Sequence, residues 1–151
     1  MAIRSGQKIT SPRAVDAALA VTHAVDNVSG TIFNVYDILP SPRMSNIPIP
    51  SAAAAQFHIT NAATTDGYDL DVRVKYSHDG ILWSEAGQGD DLANYYSAVA
   101  GDDLLWSAPI TFIPLQPYMV FEYDNNNGTD DVTVRSQISY TWGENIGEGL
   151  I

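Results

Sequence analysis

The sequence predicts an all-β fold, an antiparallel β-sandwich of jelly-roll-like form with an extended N-terminal arm and one long proline-rich loop. Three observations predict it. Two long segments, Tyr68 to Ser77 and Asp131 to Trp142, alternate apolar and polar residues at period two, as strands with one buried face do. Gly, Pro, Asn and Asp residues punctuate the chain between its apolar segments. Helical spacing recurs only in short stretches.

In chain order, residues 1–13 hold Arg4, Lys8 and Arg13 and no acid, a formal +3, while the other 138 residues carry 4 basic against 18 acidic side chains, a formal −14. A basic arm on an acidic body reads either as a docking tail for an acidic partner or as a frayed terminus with solvated charges. The chain divides accordingly into the arm at 1–13, a sandwich domain at 14–142 and a Gly-rich tail at 143–151. Ser11-Pro12 has the form of a helix start before Ala14 to Asp26. Yet Val15, Ala17, Leu19, Val21, His23 and Val25 recur at every second position, which favours a strand. Weaker strands are expected over Thr31 to Ile38, Ala54 to Asn61 and Leu104 to Ile113, the last at a sheet edge because Pro109 cannot donate to a ladder.

Between Leu39 and Ser51 stand Pro40, Pro42, Pro48 and Pro50, which exclude regular structure and predict an extended surface loop. Its Met44, Ile47 and Ile49 favour a loop held by contact over a floppy one. Tyr68, Leu70, Val72, Val74 and Tyr76 form the inward face of the next strand. Leu92, Tyr95, Tyr96 and Val99, spaced i, i+3, i+4 and i+7 behind the possible caps Asp90 and Asp91, predict one short helix. Met119, Phe121 and Tyr123 face inward on a further strand. Asn127-Gly128 then predicts a hairpin into the best strand of the chain, whose inward set is Val132, Val134, Ile138, Tyr140 and Trp142.

The net charge of −11 over 151 residues argues against nucleic acid or an anionic membrane as a partner. No apolar run approaches the ~20 residues of a membrane span, and the first residues lack the apolar stretch of a signal peptide. There is no cysteine, so disulfides and thiolate metal sites are excluded; the three histidines, His23, His58 and His78, are far apart. No serine lies in an activated context. His58 falls on the polar face of its strand and His78 in a turn, where solvation is the expected state. The acid pairs Asp90-Asp91, Asp102-Asp103 and Asp130-Asp131 are adjacent in turns, whereas glycoside hydrolysis needs two carboxyls across a cleft. Asp124 to Asp130 resembles a calcium loop in composition. Its Gly128 stands fifth where the sixth position is required and no Glu closes the loop, so the turn explanation is preferred. No catalytic residue, metal or cofactor is therefore expected.

One local pattern carries a resemblance. Tyr76-Ser77-His78-Asp79-Gly80-Ile81-Leu82-Trp83 reads Y-S-x-D-G-x-x-W, with Asp79-Gly80 at the turn and Trp83 placed to cover the core on the return strand. This hairpin resembles one recurrent in virion structural proteins of tailed bacteriophages, with Pro117 to Tyr123 and Val132-Thr133-Val134 matching the later strands of that pattern. It also approaches the Asp-box of sialidase-like propellers, but one residue is missing before Trp83 and the box occurs once. The phage resemblance implies a head decoration, or cement, protein: a small acidic sandwich, commonly trimeric, made in the host cytoplasm and clamping major capsid subunits from outside the shell. Its contacts are expected from Arg4, Lys8 and Arg13 of the arm and Met44, Ile47 and Ile49 of the loop. The alternative is a carbohydrate-binding sandwich of a phage tail or host-recognition protein, for which Trp83, Trp106, Trp142 and the eight tyrosines supply stacking rings, although core filling is the commoner use of such residues.

Overall fold

The computed structural model describes residues 8–9, 11–35, 50–61, 66–85, 87–127 and 131–142, the side chains of residues 8, 9 and 142 excepted. The described residues form strands and no helix. In order these are β1 (Lys8–Ile9), β2 (Arg13–Ala14), β3 (Leu19–Val21), β4 (Val28–Ser29), β5 (Phe33–Asn34), β6 (Ala52–Thr60), β7 (Tyr68–Ser77), β8 (Asp90–Ser97), β9 (Ile110–Phe112), β10 (Tyr118–Asn125) and β11 (Val132–Trp142). One sheet has the order β1-β11-β6-β9, with β2 and β3 also on β11; the other has β4-β10-β7-β8, with β5 also on β10. Every named pairing is antiparallel. The molecule is thus a two-sheet β-sandwich.

Period two places the core. On β6, Ala53, Ala55, Phe57 and Ile59 are buried while the intervening residues are not, and β11 buries Val132, Val134, Ile138 and Tyr140. They face Leu70, Val72 and Val74 of β7 and Met119, Phe121 and Tyr123 of β10. Phe57 joins the layers: its ring meets Phe121 at 5.1 Å and Tyr123 at 6.1 Å, both edge to face. Each edge-to-face pair adds about 0.5–1.5 kcal/mol beyond the burial of its rings.

Several expected elements are corrected. Asp90 to Val99 is not a helix: Asp90–Ser97 is β8, which pairs along the open edge of β7. A register shift between Val72 and Arg73 lets Leu92 and Tyr95, three apart, both pack toward the core, while Tyr96 is 68% exposed. The bulge imitates helical spacing. Asn127-Gly128 does not join antiparallel neighbours either, because β10 pairs with β7 while β11 pairs with β6 in the other sheet, so the connection crosses between layers. Asn-Gly marks a chain reversal without saying which strands pair. Ala14 to Asp26 is extended only in part, as β3 and the end of β2, and Asp16 rather than Ala17 turns inward. Thr31 to Ile38 yields β5 alone, its last three residues lying outside the described residues, as do residues 39–49 of the proline-rich loop. Leu104 to Ile113 gives an isolated bridge, Ile59 to Leu104, and the edge strand β9. Trp83 covers no core on a return strand, since β8 begins only at Asp90 and Trp83 is half-buried in the intervening loop.

Candidate functional site

The Y-S-x-D-G turn is built on one serine and one carboxylate. Ser77, almost fully buried at the end of β7, donates through Oγ to the Leu82 carbonyl at 2.7 Å and accepts from the Gly80 N–H at 2.8 Å. Asp79 Oδ1 accepts from the Ile81 and Leu82 N–H groups at 2.8 and 3.0 Å, and those two donors hold its carboxyl below the usual range. Gly80 sits at φ 78°, a left-handed conformation that side chains resist. This geometry projects Ile81 and Leu82 into solvent, at 77% and 76% exposure.

The same end of the sandwich collects other features. Tyr76 donates its phenol proton to the Ile113 carbonyl at 3.1 Å, pinning the loop after β9 beside the end of β7. That loop exposes Ile113 and Leu115. The Val35 N–H bonds the Pro117 carbonyl at 3.0 Å, and Lys8 pairs with Trp142, so the described residues flanking segments 1–7, 36–49 and 143–151 all reach this end. Apolar side chains from two loops therefore stand where three further segments join.

The outer faces of the two sheets differ in charge. Outside the β7-β10 sheet lie Asp69, Asp71, Asp91, Glu122 and Asp124. Glu122 is fully buried there, 3.4 Å from Arg73 Nη1 and 3.5 Å from Lys75 Nζ, and it accepts from the Gly87 N–H at 2.9 Å. The loop before β8 thus lies across this face, so close that a Cβ on Gly89 would stand 2.6 Å from the Val74 carbonyl. Asp124 is pushed upward, first by burial and then by Asp26. The outward positions of β6 and β11 hold no acid: every second residue of β6 from Ala52 to Thr60, and of β11 from Thr133 to Thr141, is Ala, Gln, His, Thr, Arg or Ser, and Asp131, just before β11, is bonded to His23. Beside it stands Trp106, 39% exposed at φ 53°, with its ring 5.5 Å from the His58 ring.

Of the residues expected to make contacts, Arg4, Met44, Ile47 and Ile49 lie outside the described residues. Lys8 and Arg13 lie in β1 and β2, paired with β11, so the boundary at residue 13 falls inside a strand. His58 is not simply solvated: Trp106 stands against it, and its Nδ1 is buried without a hydrogen-bond partner. His78 is exposed in its turn. Trp142's side chain is not among those described. Asn126 and Asn127 of the calcium-like segment bond the Asp69 carbonyl, through the Asn126 N–H, and the Gly67 carbonyl, through the Asn127 side-chain amide, while residues 128–130 lie outside the described set.

The apolar end was foreshadowed only at Ile81 and Leu82, whose turn motif the sequence displays. Asp16 belongs to no motif of the sequence. It is 2% exposed and accepts from Tyr123 Oη at 2.7 Å, Ser136 Oγ at 2.9 Å and the Thr31 N–H at 2.8 Å. A serine at an inward position of β11 was its one available signal.

No family model matches this sequence, and no curated protein matches it. Among solved structures it is similar to part of dimeric latent PorU from Porphyromonas gingivalis, at 9% identity and TM-score 0.52 over 91% of this chain and 12% of that one. It is also similar to the CBM22-1 xylan-binding domain of Paenibacillus barcinonensis Xyn10C, at 10% identity and TM-score 0.44 over 87% and 86% of the two chains. At these identities the PorU likeness is one of fold, and neither likeness bears on what this chain binds.

Proposed function

We propose that this chain is a non-enzymatic contact module, a decoration protein that binds the outside of an assembled tailed-phage head and clamps neighbouring major capsid subunits. One observation carries the reading. The exposed Ile81, Leu82, Ile113 and Leu115 crowd the end of the sandwich at which the N-terminal, proline-rich and C-terminal segments join. Exposed apolar side chains gathered at one end of a fold are the kind of surface that an interaction covers. The Y-S-x-D-G turn that projects two of these side chains is the part of the sequence that resembles phage virion proteins, although Trp83 is not on a return strand. A ligand that binds the lattice and not its free subunits stabilises the lattice by mass action, and several contact segments add avidity. Self-association as a trimer belongs to the same proposal.

The test is co-sedimentation with heads assembled from the major capsid protein of the same genome. The protein pellets with heads, and excess unassembled subunits do not compete. A protein left in the supernatant, or a genome without a capsid gene, contradicts the proposal. A second reading, glycan binding, is favoured by a specific observation: a partly exposed Trp106 in a backbone conformation rare for bulky residues, beside the polar outward positions of β6.

A further inference from the structure

We infer that the outer face of the β6-β11 sheet is a binding site for a carboxylate-bearing saccharide, with Trp106 as its stacking platform and Arg135 as its anion anchor. The inference rests on the glycan-binding reading and names the site and the ligand class.

Four observations converge on this face. The first is charge. The chain has 18 acidic residues, yet the outward positions of β6 and β11 hold none and instead carry Arg135 and His58, directly opposite each other in the ladder. Opposite side chains start from Cβ atoms about 5 Å apart, so Arg135 stands beside His58 and the Trp106 ring packed on it. Arg135 is exposed, and no described acid pairs with it, whereas Arg73 on the other sheet is taken up by Glu122, Asp91 and Asn27. An anion approaching the protein therefore meets repulsion over most of the surface and a guanidinium here.

The second is Trp106. Its φ of 53° is an outlier for an aromatic residue, and it holds the ring edge to face with His58, leaving part of the indole in solvent. A fixed, half-exposed indole stacks the C–H face of a sugar ring at little entropic cost. Third, the amides beside it are pre-ordered. Gln137 Nε2 donates to Gln56 Oε1 at 2.8 Å and Gln56 Nε2 donates to the Ser107 carbonyl at 3.0 Å, so Gln137 Oε1 is aimed as an acceptor for a sugar hydroxyl. Finally, the next pair along the ladder is Ala54 and Ser139, small side chains that make a low floor against the taller Gln, His and Arg rows.

The experiment is a glycan array carrying neutral hexose and pentose oligomers, the same scaffolds bearing uronate or sialate groups, and Asp-rich peptides. Wild-type protein binds carboxylate-bearing glycans. Trp106→Ala, with an unchanged thermal melt, lowers every signal by about tenfold or more. Arg135→Gln, an exposed change that leaves the core intact, removes the preference for acidic glycans but retains weak binding to their neutral counterparts. Equal binding to neutral and acidic glycans overturns this inference and leaves the glycan-binding reading standing. Binding to no glycan overturns both, and preference for the Asp-rich peptides overturns the saccharide assignment in favour of a protein partner. Full binding by Trp106→Ala shows that the site lies elsewhere.

Discussion

Asp16 shows how much a single buried carboxylate organises. Its oxygens accept from a phenol, a hydroxyl and a backbone amide, joining the loop before β5, β10 and β11. Gly30 is matched to it, since a Cβ there would lie 2.5 Å from Asp16 Oδ1. Removing the carboxylate leaves Tyr123 Oη and Ser136 Oγ buried without their acceptor. Asp16→Ala is therefore expected to destabilise the fold by about 3 kcal/mol, measured as a lowered urea midpoint with unchanged m-value. No spacing rule reveals such a hub, because Ser136 is 120 residues from Asp16 in the chain. Asp79 offers a pH-dependent test. Its folded value is lowered by the Leu82 and Ile81 amides, so its contribution is fully present above the ordinary carboxylate value of about 4 and lost as pH falls through the lowered value. The melting-temperature gap between wild type and Asp79→Ala is expected to narrow on acidification, and a gap constant with pH would contradict that role.

At the scale of elements, legibility followed how cleanly a strand alternates. β6, β7 and β11 bury every second residue over most of their length, and the sequence displays that period directly. β8 was misread because its bulge adds one residue to the alternation, giving two core-packed residues the separation of a helix face. The correction is testable. Tyr95 stacks near Phe57 at 5.9 Å, while Tyr96 points to solvent. Tyr95→Ala is expected to cost about 3 kcal/mol and Tyr96→Ala less than about 0.5 kcal/mol. Similar losses at both positions would restore a shared helical face. Pairing between strands was less legible than their existence: Asn127-Gly128 announced a turn, but the choice of sheet rests on long-range ladders such as β10 with β7 and β11 with β6. Trp106 stood in the sequence only as one of several candidate stacking rings; its conformation was hidden, since its left-handed backbone belongs to the short link between the Leu104 bridge and Ser107, whose hydroxyl accepts from the Phe57 N–H at 3.0 Å.

The whole molecule is a sandwich whose two faces and one end differ in chemistry: an acidic face crossed by a loop, a face beside Trp106 whose outward β6 and β11 positions hold no acid, and an apolar end where outlying segments join. Net charge foretold the acidic body, but not that one face escapes it, because that depends on which strands share a sheet. The proposed clamp places its contact at the apolar end. Charge introduced there leaves the core untouched, because Leu82 and Ile113 are 76% and 65% exposed. The most direct measurement is head binding by a Leu82→Asp/Ile113→Asp variant whose melting temperature matches wild type. The account predicts that wild-type protein pellets with heads of its own genome and that the variant's affinity falls by about tenfold or more. Wild-type affinity in the variant, under conditions where the wild type itself binds, would contradict it and move the contact away from this end.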